Sequence, residues 1–182
     1  MITLSIEKEK IYPNCPIINR IVEVGGFKKS ELVEKLQEHS IQLNEYGERL
    51  LNDGKFTTSE TRYSLQTVEL AVRDLGFSDG AVTAQIFKKA NEVGLKLCPL
   101  ELGPYLRLQY LDQPEGHLGN PIKQHQAPAG SITIASEMLS EDHDFPKGFY
   151  LRRMNGVLWL RGYIADDLHI WSPDDHFIFC QK

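Results

Sequence analysis

Between Gly94 and Gly116 the chain reads GLKLCPLELGPYLRLQYLDQPEG, and no other stretch restricts the fold as much. Gly94 ends a helical pattern, Pro99 stops a short strand over 95–98, and Gly103-Pro104 predicts a stiff corner leading into a second strand over 105–111. Side chains alternate along a strand. Leu106, Leu108 and Tyr110 are therefore expected on a core face, and Tyr105, Arg107, Gln109 and Leu111 on the opposite one.

Helical spacing dominates before this run. Two short strands, over 3–7 and 20–24, come first, and Gly25-Gly26 breaks the second. Leu32, Val33 and Leu36 predict a helix over 30–39 capped by Ser30, and Ile41, Leu43, Tyr46, Leu50 and Leu51 carry a second to the stop Asn52-Asp53-Gly54. Val68, Leu70, Ala71, Val72 and Leu75 predict a third, closed by Gly76. Ile86, Phe87, Ala90 and Val93 predict a fourth, ended by Gly94. The last two, around Asp79-Gly80, have the outline of a helix-turn-helix, but that is also a routine packing unit, and the fourth helix offers Lys88 and Lys89 with no Arg.

Alternation dominates after it. In FYLRRMNGVLWLRGY, Asn155-Gly156 predicts a two-residue type I′ hairpin with Met154 opposite Val157, Arg152 opposite Trp159, Leu151 opposite Leu160 and Tyr150 opposite Arg161. Further strands are expected over 131–135 and, after the turn SPDD, over 176–180. Gly116 to Gly130 and 140–147 read as loops. The prediction is thus an α+β chain: one domain over 1–182, with a helical lobe of about four helices over 17–94 and a mainly antiparallel β lobe over 95–182.

Composition narrows the function classes. Hydrophobic residues make up 41% and charged residues 25% of 182, which fits a globular chain able to bury its own core. A net charge of −5 argues against a general grip on nucleic-acid phosphates. Cys15, Cys98 and Cys180 are odd in number and lack CxxC spacing, so they are expected as reduced thiols without a bound metal. No apolar run has the length of a membrane span, and the N-terminus has no signal-like core; the expectation is a cytoplasmic protein.

The polar face of the predicted sheet is the strongest candidate site. Tyr105, Arg107, Gln109, Tyr150, Arg152, Trp159 and Arg161 would gather rings that stack on planar groups and guanidinium forks that hold anions, although solvated surface decoration or cover by the helices accounts better for the same pattern. Glu101, at the corner before Arg107, supplies a carboxylate for a cleft with Arg107, Gln109 and Asp112, although a salt bridge pinning the corner to the sheet accounts for it better. The histidines, His143 in EDHD among them, lack HxH, HExxH or HxxxH spacing, so no metal site is expected. Apolar neighbours make Cys98 a buried thiol rather than a nucleophile. GxSxG, P-loop and GxGxxG motifs are absent, and no cofactor is implied.

The segments LGFSDGAV, EVGLKLCPLELGPYLRLQYLDQPEG and NGVLWLRGY, followed by WSPDDHFIF, resemble a group of uncharacterised bacterial proteins sharing the motif GLxLCPxExGPxLRLQYxDQPxG. The likeness runs from about Ile17 to the C-terminus. It implies one shared architecture and carries over no catalytic residue, cofactor or partner. One departure stands out: His117 follows DQPEG where those proteins place an acid. The expected function is therefore a non-catalytic binding or regulatory domain, holding a small anionic or aromatic ligand or a protein partner on the Tyr/Arg/Trp face. The alternative is a hydrolase with its cleft at Glu101 and Arg107.

Overall fold

The computed structural model describes residues 10–116 and 130–182. The strand expected over 3–7, His117 and most of the Gly/Pro/Gln segment lie outside them. Strands come first and helices are interspersed, which corrects the expected helical half followed by a sheet. In chain order the elements are β1 (Ile18–Val24), α1 (Lys29–Glu38), β2 (Gln42–Leu43), α2 (Glu45–Asn52), β3 (Tyr63–Ala71), a 3-10 turn at Val72–Leu75, β4 (Ala81–Val82), α3 (Thr83–Glu92), β5 (Leu95–Lys96), α4 (Leu102–Gln109), β6 (Ile132–Ile134), β7 (Gly148–Met154), β8 (Val157–Tyr163), β9 (Ile170–Trp171) and β10 (His176–Gln181).

Eight strands form one sheet in the order β1-β3-β10-β6-β7-β8-β2, with β5 also pairing β10; β4 and β9 make a separate pair. The β10–β6 and β8–β2 contacts are parallel, so the sheet is mixed rather than antiparallel throughout.

Three differences from the expected elements have physical causes. Residues 105–109 are helical, not extended. Pro104 stands in the first turn of α4, where its missing N–H has no intrahelical partner to lose, and Leu102, Tyr105 and Leu106 supply the i, i+3, i+4 spacing of a helix. The third expected helix is mostly β3, whose residues Thr67 to Ala71 are buried on both faces. Burial on both sides erases the alternation that marks a strand. The second expected helix is divided: Ile41 and Leu43 belong to or flank β2, and Asn44 caps α2 by accepting the Gly47 N–H at 2.8 Å. α1 begins one residue before Ser30, and the Glu31 carboxylate takes up the Lys28 N–H at 2.7 Å.

The hairpin has the register derived above, from Met154 opposite Val157 to Tyr150 opposite Arg161. Asn155 (φ 54°) and Gly156 (φ 75°) both occupy the left-handed region that a type I′ turn requires.

The sheet carries a core on each face. On the first, Val22, Val24, Ile178, Phe149, Leu151 and Leu160 meet Leu32 and Leu36 of α1, Leu50 and Leu51 of α2, and Leu102 and Leu106 of α4. On the second, Val68, Leu70, Phe177 and Phe179 meet Leu75, Trp171 and the α3 residues Ile86 and Ala90. Coverage of the second face is uneven: α3 lies over the β3–β10 end, while Tyr150, Arg152, Trp159 and Arg161 of the hairpin remain only half-buried.

Candidate functional site

Strand pairing builds the site. Thr133 of β6 stands opposite Tyr150 of β7, which stands opposite Arg161 of β8, and this row continues the face that carries Phe177. The row floors a cleft of about 290 Å³. Its lining also includes Ser131, Tyr46, Asn44, Tyr163, His169 and Trp171. Asn44 is fixed there by exchanging hydrogen bonds with Gly162, its amide donating to the carbonyl at 3.0 Å and its oxygen accepting the N–H at 2.8 Å. Trp171 is buried, its indole N–H donating to Thr83 Oγ1 at 2.9 Å, and its ring meets His169 and Tyr163 edge-on at 4.8 and 5.7 Å between centroids.

Arg161 is the charged centre. Its Nε donates to the Tyr150 hydroxyl at 2.7 Å, and its guanidinium carbon sits 4.9 Å from the Trp159 ring centroid and 5.9 Å from that of Tyr150. Those contacts orient the guanidinium without neutralising it. Among the described residues no carboxylate lines the cleft and none pairs with Arg161. Ser131 adds a second polar feature: the residue is 8% exposed and its hydroxyl has no hydrogen-bond partner among the described residues. A positive fork, a buried unsatisfied hydroxyl and flanking aromatic rings can together receive an anion attached to a planar group.

The other expected site residues are placed as follows. Arg152 and Trp159 share this face, one pair nearer the turn, and Arg152 Nε and Trp159 Nε1 are buried with no hydrogen-bond partner among the described residues. Tyr105, Arg107 and Gln109 do not share it, because α4 lies against the opposite face of the sheet. The Tyr105 hydroxyl accepts the Phe27 N–H at 3.1 Å and its ring stacks on Phe27. Gln109 exchanges hydrogen bonds with the backbone of Glu23, accepting at 3.0 Å and donating at 2.7 Å, and so occupies part of the free edge of β1.

Arg107 is fully buried and structural in its contacts. Its Nη1 donates to Gln113 Oε1 at 2.6 Å and to the Trp159 carbonyl at 3.2 Å, and its Nη2 to the Tyr110 carbonyl. Burial drives its pKa down to about 10. Glu101 does not pair with it. The Glu101 carboxylate accepts the Ser59 N–H at 2.8 Å, the Ser59 hydroxyl at 2.6 Å and the Tyr63 hydroxyl at 2.7 Å, tying the start of α4 to the segment before β3. Burial, and then the bond to Glu101, push the Tyr63 pKa up. Asp112 is exposed. The set Glu101, Arg107, Gln109 and Asp112 is thus dispersed rather than gathered at one cleft.

Ser131, Thr133, Tyr46, His169 and Trp171 were missing from the sequence-based site. Thr133 falls on the Tyr150 face only once the β6–β7 register is known, and Trp171 arrives through the β4–β9 pair. Neither pairing has a local signal. Among the described residues no group of three or more His, Cys, Asp or Glu is placed to hold a metal, and no helix is long and apolar enough to cross a membrane. Comparison with protein-family models, curated proteins and solved structures gives no match to this chain.

Proposed function

We propose that this is a non-catalytic binding domain whose cleft at Tyr150, Arg161 and Trp171 takes a small ligand with an anionic group attached to a planar ring. The observation that carries the reading is Arg161 itself, an oriented guanidinium that, among the described residues, has no carboxylate partner and stands by a Ser131 hydroxyl without a hydrogen-bond partner. A structural arginine ordinarily spends its donors on acceptors within the fold. The anion would sit between Arg161, Thr133 and Ser131, with the ring against Tyr46 and Trp171. The three free thiols and the resemblance to bacterial proteins support an intracellular bacterial setting.

Thermal-shift and calorimetric titration with inorganic phosphate, benzoate, 4-hydroxybenzoate and a nucleoside monophosphate test the proposal. At least one ring-bearing anion should bind more tightly than phosphate, and Arg161→Gln should weaken it by roughly 10- to 100-fold, the scale of a charge-assisted hydrogen-bond pair. Failure of all four anions to bind, or equal affinity in wild type and Arg161→Gln, would refute it.

A further inference from the structure

Apart from the cleft, the fold brings together two cysteines that stand 82 positions apart in the chain. Cys98 and Cys180 have their sulfurs 3.0 Å apart in a buried hydrogen bond. Several constraints fix that approach. Cys180 pairs with Lys96 across β5 and β10, which brings the chain just after β5 alongside the last strand. The Cys98 N–H donates to the Ala135 carbonyl at 2.7 Å, and Cys98 bridges Ser136. Cys15 is buried and free in a different part of the chain.

We propose that Cys98 and Cys180 are a redox-active dithiol that closes to an intramolecular disulfide with oxidants of the peroxide class. The sulfurs need to approach by only about 1 Å to reach bonding distance. Access is provided on the Cys98 side, since Cys98 lines a cleft of about 460 Å³ together with Tyr63, Leu97 and Met138. The two thiols are not equivalent. The hydrogen bond with Cys98, and after it the charge of Lys96, lowers the Cys180 pKa, while burial and the Cys180 contact raise that of Cys98. Cys180 is thus the more acidic of the two thiols and Cys98 the more reluctant to ionise.

One thiol of the pair, as its thiolate, attacks one peroxide oxygen; the O–O bond breaks, hydroxide leaves and takes up the proton that thiol had released, and a sulfenic acid remains. The partner sulfur then attacks the sulfenic sulfur, the S–S bond forms, the S–O bond breaks, and a second water leaves with the partner's proton. Two thiols are oxidised by two electrons and one peroxide is reduced to two waters.

Treating the folded protein with hydrogen peroxide, quenching and alkylating in denaturant should lower the free thiols from three per chain to one. Peptide mapping should find Cys98 joined to Cys180, and dithiothreitol should restore all three. The closed loop of 82 positions should raise Tm on the order of 10 °C. Cys15→Ser should lose both of its remaining thiols in the same way. Three thiols left after peroxide, a sulfinic acid at Cys98 without a cross-link, or dimers joined through Cys15 would each overturn the proposal.

Discussion

Gly103→Ala tests how α4 is seated on the sheet, and two opposing terms decide its sign. Gly103 lies in the first turn of the helix, so alanine there gains helix propensity worth about 1 kcal/mol. Against this, a Cβ at position 103 would stand 2.5 Å from Phe149 Cδ2 and 2.8 Å from its Cγ, about 0.9 Å inside ordinary contact. The ring cannot yield cheaply, because Phe149 is fully buried and meets the edge of Phe56. Overpacking of this kind costs about 1–3 kcal/mol, and rigid surroundings place this site at the upper end. The net expectation is a loss of about 2 kcal/mol, or a Tm lowered by roughly 4–8 °C for a chain of this size. Urea titration followed by circular dichroism measures it. Phe149→Leu should make room, so the double variant should lose at least about 1 kcal/mol less than the sum of the single losses. A Gly103→Ala protein as stable as wild type, or additivity in the cycle, would refute the close packing of α4 on β7.

Gly156→Val should cost about 1 kcal/mol or more, because a β-branched residue must enter the left-handed region at φ 75°; unchanged unfolding would count against the type I′ turn. Glu101→Gln leaves three donors facing an amide and should destabilise by roughly 1–3 kcal/mol. Wild-type stability in that variant would show that the carboxylate is not a structural acceptor. The His176–Glu69 pair predicts a pH window. The Glu69 bond raises the His176 pKa, so its contribution is complete below the ordinary 6.5 and is lost as pH rises through the higher folded value. For Glu69, burial opposes ionisation, but the bonds from His176 and Arg20 prevail and lower the pKa, so its contribution holds above 4.5 and is lost as pH falls through the lower folded value. His176→Ala should therefore lose most stability relative to wild type between about pH 4.5 and 6.5, and a deficit that grows above pH 8 instead would contradict the pairing.

What could be read from the sequence is what local chemistry controls. Asn155-Gly156 fixed both turn positions and hence every pair of β7 with β8, so the side-by-side placement of Tyr150, Arg152, Trp159 and Arg161 followed from alternation alone. α4 misled because Leu106, Leu108 and Tyr110 satisfy period two while Leu102, Tyr105 and Leu106 satisfy the helical period, and Pro104 fits either a corner or a first turn. That single ambiguity placed Tyr105, Arg107 and Gln109 on the wrong side of the sheet. β3 was hidden for the opposite reason, since a strand buried on both faces has no polar side to alternate with. The neighbours of the cleft and the Cys98–Cys180 contact depend on strand order, which no short window records.

The two arginines on which the sequence reading leaned separate once their donors are followed. Arg107 and Arg161 both sit among leucines and aromatics, and period alone treats them alike. Arg107 has lost its water entirely and directs both terminal nitrogens at oxygens of Gln113, Trp159 and Tyr110, while its Nε is buried with no hydrogen-bond partner among the described residues. Gln113 in turn donates to the carbonyls of Gly130 and Leu151, extending the same network into β7. Burial without a carboxylate is what lowers the Arg107 pKa, a cost that the fold carries to hold α4 against the hairpin. Arg161, on the other face of that hairpin, donates its Nε to Tyr150 and lines a cleft that has no carboxylate among the described residues. The strands between them are thus anchored on one side by the terminal nitrogens of a buried cation, and that rigidity holds the Arg161 guanidinium in place on the other.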